Sequence, residues 1–284
     1  MDALPWKFRK SFVEDFLPNL TAYLHDDGGI CPAMLAVPGG GYAMVSPAEG
    51  ESVTKNKENF MNQILIDGMN FRTSDGKQVL FNGINVVCKD QAQGYFFPNL
   101  EKSFKEFRKM GFNLIRFGIF WDGAEPQPGI YDIDYLKKVK DAVLLAAKYD
   151  LYVMIDMHQD LFARKYADGA PDWATLDENA CHPEGCTMWY DAYLQSEAII
   201  RASDNFWANK TAEDGIGLLD HYEKMWEQIA QYLDECENII GWEPMNEPFM
   251  GSLARNAFGS ATMKMKEQYP QFDLADQANI TLEQ

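Results

Sequence analysis

From about residue 64, short apolar runs alternate with segments whose apolar positions recur every three or four residues, a pattern of buried strands separated by amphipathic helices. It predicts a strand at Ile84–Lys89, then a helix at Glu101–Met110 with Phe104 and Phe107 on one face and Gly111 as its stop. Leu114–Trp121 follows as a strand. Ile133–Tyr149 reads as a long helix burying Leu136, Val139, Val143, Leu144 and Ala147, and Leu151–Met157 as a third strand. A long excursion, Gln159–Gly217, precedes a helix at Leu218–Leu233. The strand Ile239–Glu243 then runs into Pro244-Met-Asn-Glu-Pro248.

Strands regularly separated by helices imply parallel βαβ units, and functional-looking residues at their carboxyl ends suggest a (β/α)8 barrel. From Ile84 to Ile239 three units take about 52 residues each, so eight would need roughly 410. The expectation is therefore an α/β barrel truncated after about four βα units, with residues 61–284 as the partial barrel.

Residues 1–60 fall outside that pattern. Cys31–Val37 reads as a short strand entering Pro38-Gly-Gly-Gly-Tyr42, and a glycine-rich turn after a strand exposes backbone N–H groups suited to an oxyanion hole or anion nest. Residues 25–55 resemble the oxyanion-loop strand of the α/β-hydrolase esterases, but no Gly-x-Ser-x-Gly nucleophile elbow follows. The other reading is a leader or mis-joined segment with no chemistry of its own.

Composition narrows the classes. A content of 46% hydrophobic residues supplies a core. The net charge of -18, from 25 basic against 43 acidic residues, opposes nucleic-acid binding. The longest apolar run, Ala142–Ala147, is far too short to cross a bilayer, so no transmembrane segment is expected. The amino terminus lacks an export signal, so the chain as written reads as cytoplasmic, with a secreted parent left open. Sequons at Asn19, Asn209 and Asn279 matter only on export. Cys181-His182-Pro-Glu-Gly-Cys186 is the one tight cysteine cluster. It reads as a local disulfide or two free thiols, and neither metal nor cofactor is assigned.

Chemistry concentrates at the strand ends. Glu247, in Asn246-Glu247-Pro248, is placed to act as a carboxylic acid in glycoside hydrolysis, with Asn246 beside it for a sugar hydroxyl; the other reading is a strand-terminating turn. Asp156, His158 and Asp160 share one face if their strand persists, and burying them demands that they bond to each other or to a ligand. Arg116, within an apolar strand, needs a strand-end carboxylate.

Five blocks then carry a resemblance: Gly83–Asp90, Gly111–Pro126, Asp156–Asp160, Asp168–Trp173 and Gly241–Pro248. Residues 64–284 resemble the amino-terminal half of a glycoside hydrolase family 5 enzyme of the endoglycoceramidase type, which releases the glycan of glycosphingolipids. The resemblance implies a retaining glycosidase in which Glu247 is the general acid/base and Asn246 orders the sugar. It makes His158, Asp160 and Lys89 sugar-binding groups, Arg116 a supporting residue and Trp207 an aromatic platform. Packing is the other reading for Trp207, as it is for Trp173.

The family's nucleophile comes from strand seven, which this chain is not expected to contain. Glu243 is too far along its strand from Glu247 to substitute, since four residues of strand span about 13 Å. A catalytically inactive carbohydrate- or glycolipid-binding half barrel is the alternative function, and an esterase the least favoured. The partner expected is a glycosphingolipid or oligosaccharide, with self-association through the exposed barrel edge.

Overall fold

The computed structural model describes residues 61–183, 189–257 and 259. The glycine-rich segment before residue 61 and Cys186 lie outside them.

The first described elements form a small antiparallel sheet: β1 (Ile64–Asp67), β2 (Asn70–Thr73) and β3 (Gln78–Val79), in the order β1-β2-β3. Gly68, with φ +59, closes the first hairpin, a left-handed turn position that suits a residue without Cβ. The Tyr152 hydroxyl donates to the Asn62 carbonyl at 2.7 Å, tying the start of this segment to the sheet behind it.

That larger sheet is parallel: β4 (Gly83–Val86), β5 (Leu114–Ile119), β6 (Tyr152–Met157) and β7 (Ile239–Glu243), in the order β4-β5-β6-β7. Each strand lies beside its predecessor, and helices cross between them: α1 (Leu100–Lys109), the short α2 (Trp121–Ala124), α3 (Ile133–Lys148) and, after the excursion, α4 (Ala192–Gln195), α5 (Glu197–Trp207) and α6 (Leu218–Tyr232). Sequential parallel strands with crossover helices are the partial (β/α) barrel that the periodicity predicts. All four strands lie within two or three residues of the sequence reading.

Local causes are visible. Helix α3 starts where the Asp132 side chain accepts from the Tyr135 N–H at 2.9 Å, and α5 where Ser196 Oγ accepts from the Ile199 N–H at 3.2 Å. After α1 the chain turns through Gly111 at φ +91. The buried stripe of α3 is Leu136, Val139, Ala142, Val143 and Ala146, each apolar side chain of Leu or Val size giving about 1.5–3 kcal/mol when buried. Leu144 corrects the sequence reading: it is 46% exposed, because at 100° per residue it falls across the helix from Val139 and Ala142.

One buried polar group links two helices. Glu125, just after α2, has no exposed surface and accepts from the Trp121 indole at 2.9 Å and the Gly129 N–H at 2.8 Å, while His221 Nδ1 of α6 lies 2.9 Å away. The unread excursion is compact: its chain bridges Asp160 to Asp168 and Ala163 to Ala170 before reaching α4. Those bridges and the carboxyl ends of the parallel strands make one face.

Candidate active site

The site grows out of charges placed inside apolar strands. Arg116 on β5 reaches across the sheet end to Glu243 on β7, with Nε to Oε2 at 2.6 Å and an Nη2 contact to Oε1 at 2.7 Å. The same Nη2 donates to Asn246 Oδ1 at 2.9 Å and lies 3.0 Å from Asp156 Oδ1. Asp156 and Glu243 are register partners on β6 and β7, so the guanidinium bridges two neighbouring buried carboxylates. Burial pushes Glu243 above the ordinary carboxylate range and the Asp156 charge adds to the rise, while the Arg116 hydrogen bonds oppose it. Arg116 is held more basic than usual: burial works against its charge, and Glu243 and Asp156 outweigh it.

His158 continues the network. Its Nδ1 lies 2.8 Å from Asp156 Oδ2, and since a carboxylate accepts, the geometry assigns a proton to Nδ1. Among the described residues, Nε2 has no hydrogen-bond partner. Beyond it, Lys89 pairs with Asp160 and comes within 4.0 Å of Asp168 Oδ2. Asp168 is 3% exposed, its Oδ1 has no partner among the described residues, and burial, with the nearby Asp160 charge, pushes its carboxyl up to about 6.

His158, Asp160 and Asp168 offer ligand atoms within 4.8 Å of one another, spacing compatible with a cation. The Lys89 ammonium already supplies positive charge to this group. An unpartnered ring nitrogen and an unpartnered carboxylate oxygen beside a half-exposed lysine instead suit the hydroxyls of a polyol, each of which can both donate and accept.

Asn246 is buried and locked: its N–H donates to the Met157 carbonyl at 2.9 Å and its side-chain amide to the Gln159 carbonyl at 3.0 Å. Glu247 follows at φ +40 with an exposed side chain, and its carboxylate has no hydrogen-bond partner among the described residues. Its charge is felt by both Arg116 and Tyr193. Trp207, the last residue of α5, donates its indole N–H to the Phe249 carbonyl at 2.8 Å and packs on Phe206, beside the Glu247 loop. Trp173 donates to the Glu125 carbonyl at 3.1 Å and stacks edge-on against Trp121 and His221.

Lys89, Arg116, His158, Asp160, Asn246 and Glu247 are thus gathered at one end of the parallel sheet. From the sequence, Asp156 carries only the need for a partner, Glu243 is considered only as a nucleophile, and Gln159 and Asp168 have no stated role. For Asp156, Gln159 and Glu243 the signal was a polar residue in or just after an apolar strand, each requiring a partner, whereas Asp168 lies in the excursion with no such signal.

A glycosyl hydrolase family 5 (cellulase) model matches residues 73–268. Among curated relatives, an endoglycoceramidase of Cyanea nozakii is 33% identical over 209 residues, covering 64% of this chain and 40% of that protein. An endoglycoceramidase of Hydra vulgaris is 30% identical over 241 residues, covering 75% of this chain and 44% of that protein. Among solved structures, endo-glycoceramidase II from Rhodococcus sp. in complex with ganglioside GM3 is 31% identical with a TM-score of 0.58, covering 64% of this chain and 43% of that one. The chain spans less than half the length of these relatives. With the match extending over most of the described barrel, the chain belongs to glycosyl hydrolase family 5.

Proposed function

We propose that this chain is the acid/base-bearing part of a retaining glycosidase that cleaves the glycan–ceramide bond of glycosphingolipids. The observation that carries the reading is the contrast at the strand ends: Glu243, Asp156 and Asp160 are each tied to a cation, while Glu247 is exposed and unengaged among the described residues. A general acid must exchange its proton with substrate, which a carboxylate held in an ion pair cannot do readily. Glu247 first protonates the ceramide-side oxygen. It then takes a proton from the water that opens a glycosyl-enzyme intermediate. Asn246, His158, Asp160 and Lys89 hold the sugar, Trp207 flanks it, and Arg116 bridges the carboxylates beneath it.

Retention requires a second carboxylate about 5–5.5 Å from Glu247. The buried carboxylates named above are committed elsewhere, so the nucleophile is assigned to a later barrel strand, outside the described residues. Residues 1–60 are a separate segment from the barrel portion, 61–284. The substrate class rests on the endoglycoceramidase relatives and on the polyol-suited acceptors around Lys89.

Hydrolysis of a fluorescent glycosphingolipid by the 284-residue chain, beside a longer chain carrying a complete barrel, tests this. Cleavage by the longer chain alone supports the assignment. Cleavage by the 284-residue chain overturns the placement of the nucleophile and makes Asp160 the first residue to replace.

A further inference from the structure

Gln159 lies between two residues with sugar-binding roles, yet it is 5% exposed and both ends of its side-chain amide are engaged by protein groups. Its side-chain amide donates from Nε2 to two successive carbonyl oxygens, Asn246 at 2.8 Å and Glu247 at 2.9 Å. At its other end, Oε1 accepts from the Phe162 N–H at 2.7 Å and from the Tyr193 hydroxyl at 3.2 Å. The amide orientation is therefore forced, because a backbone N–H meets one end and carbonyls meet the other. Tyr193 is itself fixed by the Leu161 N–H, which donates to its hydroxyl at 2.8 Å, and by its ring against Phe249, with centroids 4.9 Å apart.

Both loops that Gln159 joins hold unfavourable backbone. Leu161 and Phe162 have φ of +54 and +72, and Glu247 has φ +40, a region that side-chain-bearing residues rarely adopt. Such a conformation persists only where the surroundings over-determine it. At Glu247 the clamp is reciprocal: Gln159 holds the two carbonyls while Asn246 returns a hydrogen bond to the Gln159 carbonyl.

We infer that Gln159 is a positioning residue that aims the Glu247 carboxyl at the leaving oxygen by fixing the Asn246–Glu247 backbone. The inference rests on the reading of Glu247 as the acid. With both ends of its amide taken up by protein, Gln159 has no free group for a sugar, and its loss acts only through the Asn246–Glu247 backbone that it holds.

A sugar whose glycosidic oxygen is replaced by a fused imidazole nitrogen reads the placement of such an acid directly. That nitrogen takes the acid's proton in the plane of the ring, and plain cellobiose offers no equivalent. The measurement is the affinity of a cellobiose-like imidazole relative to cellobiose, by calorimetry, for the 284-residue chain and its Glu247→Gln, Gln159→Glu and Gln159→Met variants, with urea unfolding run alongside. Gln159→Glu keeps the size and sets a carboxylate against two carbonyl oxygens. The unmodified chain should prefer the imidazole by about a hundredfold. Glu247→Gln, Gln159→Glu and Gln159→Met should each cut that preference about tenfold or more, with cellobiose affinity changed less than about threefold.

A preference lost in Glu247→Gln and kept in both Gln159 variants overturns the inference and leaves the acid reading standing. No preference in the unmodified chain, or one kept in Glu247→Gln, overturns the acid reading and the inference with it. Equal loss for both sugars in the Gln159 variants means a structural role only and also overturns it. If neither Gln159 variant unfolds cooperatively, Tyr193→Phe decides: a lowered preference supports the clamp, and an unchanged one counts against it.

Discussion

Arg116 and Glu243, 127 positions apart in sequence, share two near-parallel hydrogen bonds of 2.6 and 2.7 Å across the end of the sheet. Both side chains are largely out of water, so the pair matters chiefly through what its loss leaves behind. Arg116→Leu strands Glu243 and Asp156 as neighbouring buried carboxylates with no cation between them. The expected cost is about 3–5 kcal/mol, read from urea unfolding. Arg116→Lys keeps the charge but cannot fork between two oxygens, and its cost should fall clearly below that of Arg116→Leu. Equal stability of all three proteins would show that the network is not buried in solution.

Asp168 gives a pH signature. Its carboxyl sits at about 6 in the folded chain, against an ordinary value of 3.8, so between those values the folded state binds more proton than the unfolded one. Its stabilising contribution is complete below the lower value and is lost as pH rises through the upper one. Asp168→Asn removes that dependence. The variant should gain on the parent as pH climbs from 4 to 7, by up to about 3 kcal/mol, in chemical denaturation at each pH. A difference that stays flat across this range would refute the assignment.

Gly169 tests the packing over the clamp. It has φ +123, and a Cβ there would lie 2.5 Å from the Phe162 carbonyl oxygen and 2.6 Å from Gln159 Cβ. Gly169→Ala should destabilise by roughly 2–4 kcal/mol, combining backbone strain with overpacking. A midpoint shift of less than half that would mean that the Asp168–Ala170 segment moves aside easily.

The parallel strands were legible because each is a mostly apolar run broken by at most one or two polar residues, and α3 because its stripe repeats with helical period. Leu144 was misplaced because it is apolar but off phase. The β1–β3 hairpin sheet escaped notice for a physical reason: its strands are two to four residues long and expose Leu65, Ile66 and Phe71, so no alternation marks a buried face. In the site, Arg116 announced its need for a carboxylate, and Glu243 supplies it. The sequence measures Glu243 only by its distance along the strand from Glu247, whereas its partner on β5 is a matter of sheet register. Gln159 could not be read as a clamp, since its four contacts join a loop 87 residues away and helix α4, 34 residues away, as well as its own turn.

The central claim is that Glu247 donates the proton to the leaving oxygen. The direct measurement is kcat/KM for Glu247→Gln, in a chain holding the whole barrel, on a glycosphingolipid and on an aryl glycoside whose phenol leaves without protonation. Hydrolysis of the glycosphingolipid should fall by about a thousandfold or more, and that of the aryl glycoside by at least about tenfold less. Equal loss on both substrates would contradict the account, because an acid is dispensable only where the leaving group needs no proton.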